Sequence, residues 1–303
     1  TLLVSDKTAL ERIFTETAGL IAVHAEDEDR MNERRKLVEG RTDIAAHAYY
    51  RDDITALLAT KLAVNLAHKT GHRLHILHLT SGIEADFLTD HCNLPSKTEG
   101  HPIITTEVLP QHLTFDETDV DEQGVRLQMN PPIRYKADRE ILWNRLVDGT
   151  IQCIATDHAP HTLEAKSKGF PHAPSGMPGV ETSLAVMLNY VNQGKCSIED
   201  VVRWMSSNVA DCYRMIGKGK LEEGYDGDIV LVDMNHSAIV EDENSWTRVG
   251  WNPFRGRKLT GWPVLTVVDG IPVFERSPGT GQKGRLLVEP GSVGKPLLME
   301  PWK

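Results

Sequence analysis

The side chains best suited to chemistry lie in the stretch Cys153-Ile154-Ala155-Thr156-Asp157-His158-Ala159-Pro160-His161. This stretch begins as a short apolar strand and reaches a carboxylate at Asp157, with two histidines just beyond. A carboxylate at the carboxyl end of a buried strand is well placed to bind a metal ion or transfer a proton in the mouth of an α/β barrel. A structural alternative exists, because an isolated aspartate can simply cap the turn that follows it. The pattern upstream favours the chemical interpretation.

Two earlier apolar segments also lead to a histidine. Residues 20–23 precede His24, and residues 74–77 precede His78. A single histidine at such a position is more often a hydrogen-bonded core residue. The carboxyl ends of parallel strands meet at one rim of a barrel, so we expect His24, His78 and Asp157 to lie together. Two imidazoles and one carboxylate suit Zn²⁺, which lowers the pKa of a bound water to near neutrality.

The elements that must position these residues alternate between strand and helix. Apolar strands are predicted over 20–24, 73–80, 102–108 and 151–157, and helices over 52–69, 83–89 and 136–147. The first helix follows a cap at Ser5 or Asp6, and a polar loop is expected through Arg41 and His47. This β-then-α order indicates a parallel sheet with right-handed crossovers. A loop of 160–179 rich in Gly, Pro and Ser follows Asp157, and its length favours a functional role.

The sequence pattern changes near residue 217, from alternating strands and helices to strands joined by turns. A strand over 228–233 and a hairpin around Asp269-Gly270 indicate a small β appendage, and residues 276–303 are expected to form an extended tail. We therefore predict two domains. Residues 1–216 would form part of a hydrolase barrel, and residues 217–303 would form a small β subdomain with its tail.

Composition narrows the possible partners and the compartment. The 303 residues carry a net charge of −10, which argues against binding to nucleic acid or to an anionic membrane surface. Four scattered cysteines fit a reducing cytoplasm better than a disulfide scaffold. No apolar run of about 18 residues and no signal peptide are visible, so we expect a cytoplasmic protein without a membrane span.

Residues 155–161 resemble the signature of dihydroorotase in the amidohydrolase superfamily. Further stretches resemble that family in the same order, namely Val23-His24-Ala25-Glu26-Asp27, His75-Ile76-Leu77-His78, Met129-Asn130-Pro131-Pro132-Ile133-Arg134, Ser175-Gly176-Met177-Pro178-Gly179-Val180-Glu181-Thr182 and Gly250-Trp251-Asn252-Pro253-Phe254. The resemblance covers roughly residues 1–275. It implies an α/β fold, a TIM-type (β/α)8 barrel of the amidohydrolase type, with a small C-terminal β appendage.

The resemblance also implies a role for each matching residue. His24 and His78 would bind the more exposed metal of a two-zinc centre. Asp157 would bind the other metal, take a proton from the zinc-activated hydroxide and pass it to the leaving ring nitrogen. Asn130, His161 and the backbone of Ser175 and Gly176 would bind the substrate. The reaction would be reversible hydrolysis of (S)-dihydroorotate to N-carbamoyl-L-aspartate in pyrimidine biosynthesis, with a homodimer or an association with aspartate transcarbamoylase as possible assemblies.

Several features depart from this family pattern. The His-x-His pair that opens the family's barrel does not occur in residues 1–303. The bridging lysine would precede Thr1, and Asp6 is a weak substitute. Gln111 stands where relatives often have histidine. We therefore expect that the N-terminal strands of the barrel are missing from this chain, and that the chain alone is inactive.

Two alternatives remain open on the sequence. One is another cyclic amidase, of the dihydropyrimidinase or allantoinase type, although Asn130 and the Ala-Pro-His ending argue against it. The other is a metal-free, dihydroorotase-like scaffold that supports a partner enzyme. The joint presence of His24, His78, Asp157, Asn130 and His161 argues against this second alternative.

Overall fold

The computed structural model describes residues 4, 6–92, 102–276 and 283–300, and divides them into two compact units. The first comprises Thr1–Ala155 and Glu164–Gly176, and the second comprises Thr156–Leu163 and Met177–Glu300. The domain boundary predicted after residue 216 remains a prediction. Residues 93–101 and part of the expected tail lie outside the described residues.

Four short parallel strands form the sheet of the first unit. They are β1 (Ile21–Val23), β2 (Leu74–Ile76), β3 (Ile104–Val108) and β4 (Cys153–Ile154), and they are hydrogen-bonded in this order. The register pairs Val23 with Ile76, and Ile76 with Thr106. Because β2 and β3 are buried at every position, other parts of the protein cover both faces of these strands, as is typical of parallel sheets. The predicted α/β fold with a parallel sheet is confirmed.

The helices follow the strands as the sequence indicates. They are α1 (Lys7–Glu16), α2 (Glu28–Arg35), α3 (Ala45–Tyr50), α4 (Asp53–Thr70), α5 (Gly82–Leu88), α6 (Pro110–Thr114), α7 (Glu117–Gln123), α8 (Lys136–Val147), α9 (Leu163–Lys166), α10 (Ser183–Asn192), α11 (Ile198–Val202) and α12 (Asn208–Tyr213). Single turns of 3₁₀ helix cover Lys36–Val38, Gly124–Leu127 and Asp242–Asn244, and a π-helical turn covers Arg203–Ser207.

Local capping chemistry fixes the ends of two predicted helices. The Asp6 carboxylate accepts a hydrogen bond from the Ala9 N–H at 2.7 Å and starts α1. Asp52 accepts in the same way from Thr55 N–H at 3.0 Å and starts α4. Gly71, with φ +71°, ends α4 in the left-handed conformation that glycine adopts without strain. These contacts are local in sequence, which is why the helix bounds were predictable.

The loop predicted through Arg41 and His47 is wrong in part, because it contains helix. His47 lies on α3 and is buried, with 4% of its surface exposed. Its ring meets the rings of Tyr50 and Phe170 edge-on. The polar composition of this segment concealed the helix, which is stabilised by tertiary burial of a few apolar side chains.

The second unit contains an antiparallel sheet in the order β5 (Ile229–Ile239), β6 (Lys258–Val268), β7 (Ile271–Glu275) and β8 (Arg285–Leu286). The predicted β6–β7 hairpin is present, and Asp269 and Gly270 take positive φ values of 52° and 77° in its two-residue turn. Helix α10 joins this sheet through Asn189, whose Oδ1 accepts the Thr260 N–H at 3.0 Å. Helices α10 to α12 belong to the same second unit as this sheet.

Two further findings concern the whole described chain. The four cysteines are free thiols, as the sequence indicated. Among the residues that the structure describes, no helix is both long and apolar enough to cross a bilayer.

Candidate functional site

His24 and His78 lie side by side at the carboxyl ends of β1 and β2. His24 follows β1 directly, and His78 lies two residues beyond β2. The parallel register brings these strand ends level, and His24 Nδ1 lies 2.9 Å from His78 Nε2. The two rings meet edge-on with centroids 4.7 Å apart. The predicted meeting of these two histidines is therefore observed within the first unit.

A buried carboxylate holds the far side of the His24 ring. Glu26 Oε2 lies 2.9 Å from His24 Nε2 and also binds the Arg51 guanidinium, and its side chain is fully enclosed. Burial acts to raise the pKa of Glu26, but the hydrogen bond from His24 and the charge of Arg51 outweigh it and lower that pKa below its usual value. Glu26 is thus an anion that accepts the Nε2 proton of His24. The Nδ1 lone pair of His24 is left directed at His78.

His78 is a neutral imidazole on a strained backbone. Burial, together with the neighbouring His24, lowers its pKa to about 4. Its φ of +36° is costly for a residue with a Cβ, by about 1–3 kcal/mol. The backbone N–H of His78 donates to Glu107 Oε1 at 3.3 Å, and the N–H of Leu79 donates to the Glu107 carbonyl at 2.8 Å. Glu107 on β3 therefore helps to hold His78 in this conformation.

The histidine pair fits part of a zinc site. Two nitrogens that bind one Zn²⁺ at about 2.0–2.1 Å are roughly 3.3 Å apart when the angle is tetrahedral, close to the observed 2.9 Å. Both rings can present a lone pair, and the buried Nδ1 of His78 has no hydrogen-bond partner among the described residues. The set is incomplete, because no group of three or more His, Cys, Asp or Glu side chains in the described ranges is arranged to hold a metal.

Asn130 lies at a turn beyond β3 and is joined to Pro131 by a cis peptide bond. Its Oδ1 is buried, and its side chain lies beside the ring of His47, whose pKa it acts to raise. A buried amide oxygen of this kind is costly unless another group donates to it. The environment suits the substrate-holding role expected of Asn130, which remains a prediction.

Ser175 and Gly176 are held against Gln128. The Gly176 N–H donates to the Gln128 carbonyl at 2.9 Å, and Gln128 Nε2 donates to Ser175 Oγ at 3.2 Å. The Gly176 N–H is thus already engaged. The substrate role predicted for this backbone would require the bond to Gln128 to be replaced or to be shared.

Asp157 and His161 belong to the second unit and are described with it. Asp157 is partly buried and has a φ of +41°. The next residue, His158, accepts the N–H groups of Gly179 and Val180 at its Nδ1, at 3.1 and 3.2 Å. The carbonyl of His161 accepts the indole N–H of the buried Trp251 at 2.7 Å. This loop is therefore anchored at both ends of the 157–161 motif.

Sequence reasoning missed three residues of the first unit, Glu26, Arg51 and Arg134. The buried Arg134 donates from Nε to Thr80 Oγ1 at 2.9 Å and from Nη1 to the Arg51 carbonyl at 2.8 Å. Glu26 and Arg134 occur in stretches that carried the family resemblance, and that was the available signal. Nothing in the sequence indicated that Arg51 would join them.

A family comparison agrees with these observations. The model of the Amidohydrolase family matches residues 11–273. Among curated relatives, the dihydroorotase of Halobacterium salinarum is 34% identical over 281 residues, covering 92% of this chain and 62% of the relative. The dihydroorotase of Pyrococcus abyssi is 32% identical, covering 93% and 62%. The predicted resemblance to dihydroorotases is confirmed, and the chain spans about 62% of the length of these relatives.

Solved structures show the same fold. The L-hydantoinase (dihydropyrimidinase) of Arthrobacter aurescens superimposes with a TM-score of 0.84 at 30% identity, covering 94% of this chain and 62% of that one. The dihydropyrimidinase of Brevibacillus agri gives a TM-score of 0.81 at 28% identity, covering 90% and 61%. These likenesses confirm the predicted barrel fold of the amidohydrolase type.

Proposed function

Because the chain belongs to the amidohydrolase family, we propose that it carries part of the active site of a dihydroorotase. The reaction is the reversible hydrolysis of the cyclic amide of dihydroorotate to N-carbamoyl-aspartate, a step of pyrimidine biosynthesis. The observation that carries the proposal is the approach of His24 Nδ1 to His78 Nε2, with Glu26 fixing the His24 proton on the opposite nitrogen. The curated dihydroorotases at 32–36% identity support this choice of substrate.

In this proposal the first unit supplies two metal ligands, His24 and His78, through the nitrogens that face each other. A bound zinc ion supplies a nucleophile at neutral pH and polarises the amide carbonyl. The Glu26–Arg51 pair orients the His24 ring, as carboxylates do for ligand histidines. The low pKa of His78 keeps its imidazole neutral and able to donate a lone pair at physiological pH.

Asp157 completes the chemistry as a third ligand and as the group that moves the proton. Its carboxylate takes a proton from the attacking water and delivers it to the departing ring nitrogen, since an amide nitrogen leaves only when protonated. Asn130, His161 and the backbone at Ser175 and Gly176 hold the ring and its carboxylate. A pair of zinc ions per site, a cytoplasmic location and a homodimer or an aspartate transcarbamoylase partner belong to the same proposal.

The decisive experiment is a substrate panel of dihydroorotate, hydantoin, dihydrouracil and allantoin. It uses this chain extended at its N-terminus to the length of the relatives, with zinc measured by elemental analysis. We expect about two zinc ions per chain by family analogy and fastest turnover of dihydroorotate. The variant His78→Asn should lose zinc and activity, while Lys69→Gln, on the exposed end of α4, should retain both. The absence of zinc in the extended protein would favour the metal-free scaffold instead.

A second candidate function is hydrolysis of hydantoins or dihydropyrimidines. It is favoured by the superposition on the Arthrobacter aurescens L-hydantoinase. Faster turnover of hydantoin or dihydrouracil than of dihydroorotate would select it.

The 303-residue chain is assayed in parallel and is predicted to be inactive. An ordinary enzymatic rate from this chain alone would show that the residues it contains suffice.

A further inference from the structure

Lys166 is a buried charged side chain of the first unit that the proposed reaction does not use. It is the last residue of helix α9, and 1% of its surface is exposed. Burial lowers the pKa of its ammonium group to about 8, so the group is protonated at neutral pH. An enclosed charge is costly unless neighbouring groups solvate it, and its contacts therefore indicate what it does.

The ammonium group of Lys166 donates hydrogen bonds to two backbone carbonyls from distant parts of the chain. One is the carbonyl of Gln128, at 2.9 Å, and the other is the carbonyl of Pro174, at 3.0 Å. Gln128 precedes Asn130 by two positions, and Pro174 directly precedes Ser175. One side chain thus joins two segments of the first unit that hold the substrate in the proposed function.

Gln128 joins the same two segments through its side chain and its backbone. Its Nε2 donates to the Ala173 carbonyl at 2.8 Å and to Ser175 Oγ at 3.2 Å, and its carbonyl accepts the Gly176 N–H at 2.9 Å. We call Lys166, Gln128 and residues 173–176 the lysine clamp. Its hydrogen bonds fix the backbone of residues 173–176 relative to residue 128.

The Gln128 carbonyl is shared between Lys166 and Gly176. A carbonyl oxygen has two lone pairs and can accept both hydrogen bonds. If the Gly176 N–H turns to the substrate, the Gln128 carbonyl keeps Lys166 as a donor. A hydrogen bond from a charged donor is stronger than one from a neutral donor, so the clamp can stay closed while the Gly176 bond is released.

The lysine clamp also borders a space that is large enough for a small molecule. Gln128, Ala173 and Ser175 are among the residues that line a cavity of about 760 Å³ in the first unit, within the usual range for small-molecule pockets. Lys166 is not one of the described lining residues. Its effect on a bound molecule must therefore pass through the backbone that it holds.

We propose that Lys166 is a positioning residue of the substrate site, which holds the Ser175–Gly176 backbone against the segment that carries Asn130. The inference rests on the proposed function, which assigns substrate binding to these segments. Loss of the Lys166 ammonium group should weaken substrate binding and leave the metal ligands and the chemical step in place.

The first measurement is amide hydrogen exchange, followed by NMR on the 303-residue chain. Lys166→Met keeps the apolar stem and removes the donors, so the Gly176 N–H should exchange about tenfold faster, as the loss of hydrogen bonds from a charged group implies. The Leu113 N–H, bonded to the Leu109 carbonyl at 3.1 Å, reports on the first unit in general and should change less. Lys168→Met is the matched control, because Lys168 is exposed two residues further along, and it should exchange like the parent.

The second measurement is steady-state kinetics of the same variants in the chain extended to the length of the relatives. The substrate is the member of the panel that the extended parent hydrolyses fastest. For Lys166→Met we expect KM to rise about tenfold, with kcat within about twofold of the parent and an unchanged zinc content. A merely structural role would instead lower kcat and zinc together, because fewer molecules would be folded, and would leave KM unchanged.

Three results would overturn the proposal. They are an unchanged KM in Lys166→Met, an equal rise of KM in Lys168→Met, and equal acceleration of exchange at Gly176 and Leu113. Failure of the proposed function would look different, because the extended parent itself would then hydrolyse no member of the panel. That result would also remove the substrate role of Lys166, whereas exchange at Gly176 would still show whether the lysine clamp holds the loop.

Discussion

Glu84 is the buried carboxyl group whose replacement gives the sharpest test of the electrostatics. It lies on α5 with 3% of its surface exposed and accepts a hydrogen bond from Thr60 Oγ1. Burial raises its pKa to about 7, against the hydrogen bond from Thr60 and the charge of Arg134, which act to lower it. The folded protein therefore keeps the Glu84 proton up to near-neutral pH.

The sign of the effect on stability follows from this raised pKa. Below pH 4.5 both the folded and the unfolded chain carry the proton. Between pH 4.5 and 7 the unfolded chain releases its proton while the folded chain retains it, so the free energy of unfolding falls as the pH rises. A pKa of about 7 instead of 4.5 corresponds to a loss of about 3 kcal/mol, at about 1.4 kcal/mol for each pH unit.

The variant Glu84→Gln keeps the shape and the acceptor oxygen and removes this titration. Its free energy of unfolding, minus that of the parent, should be near zero at pH 4.5 and rise by about 3 kcal/mol by pH 8. Urea titrations at several pH values measure this difference. Other groups with shifted pKa values, such as His47 and His112, titrate alike in both proteins and cancel from it.

Glu140→Gln is the matched control, because Glu140 is exposed on the neighbouring helix α8. Its difference from the parent should stay flat across the same pH range. The reasoning is refuted if the Glu84→Gln difference is also flat, or if this variant is less stable than the parent at pH 8. Either result would mean that Glu84 is ionised in the folded state at little cost.

Four further predictions concern stability, and urea unfolding measures each of them. Asp116→Ala removes the capping box of α7 and should cost about 1 kcal/mol. Lys166→Met removes two hydrogen bonds to carbonyl groups, at 2.9 and 3.0 Å, and should cost about 1–3 kcal/mol. Trp251→Phe removes the bond to the His161 carbonyl, which alone should cost about 1–2 kcal/mol, and the volume lost at this fully buried position adds to that cost. His78→Gly should be more stable than His78→Ala by about 1 kcal/mol, because glycine relieves the positive φ; the reverse order would show that the backbone there is not strained.

Periodicity and capping residues made much of the first unit predictable. Helix α8 occupies the predicted residues 136–147, and α4 lies within one residue of the prediction, because their stop signals are local. The strands are shorter than predicted. Of the predicted residues 73–80, only Leu74–Ile76 form regular strand, and the backbone beyond them turns through the positive φ of His78. The proximity of His24 and His78 was predictable, because each was expected at the carboxyl end of a parallel strand.

The supports of the histidine pair were not predictable in the same way. Arg51 follows α3 and reaches Glu26, which lies 25 positions earlier in the chain. Neither the hydrophobic period nor the local spacing of residues predicts such a contact, because it joins residues that are distant in the sequence. Helix α3 itself was mistaken for a loop, since only Ala46, His47 and Tyr50 of its six residues are buried. Tertiary burial, which the sequence does not display, decides both features.

The backbone gives a reason to single out His78 and Asp157 that is independent of any relative. Four described non-glycine residues have a positive φ. Arg214 ends helix α12, and Asp269 sits in the β6–β7 turn, so both have ordinary structural explanations. His78 and Asp157 have neither, and each follows a strand of the parallel sheet. Strain of about 1–3 kcal/mol at such positions persists only where the surroundings impose it, and it is concentrated at functional sites. Two of the three metal ligands chosen from the sequence, His78 and Asp157, are thus the two residues whose positive φ has no other evident structural purpose.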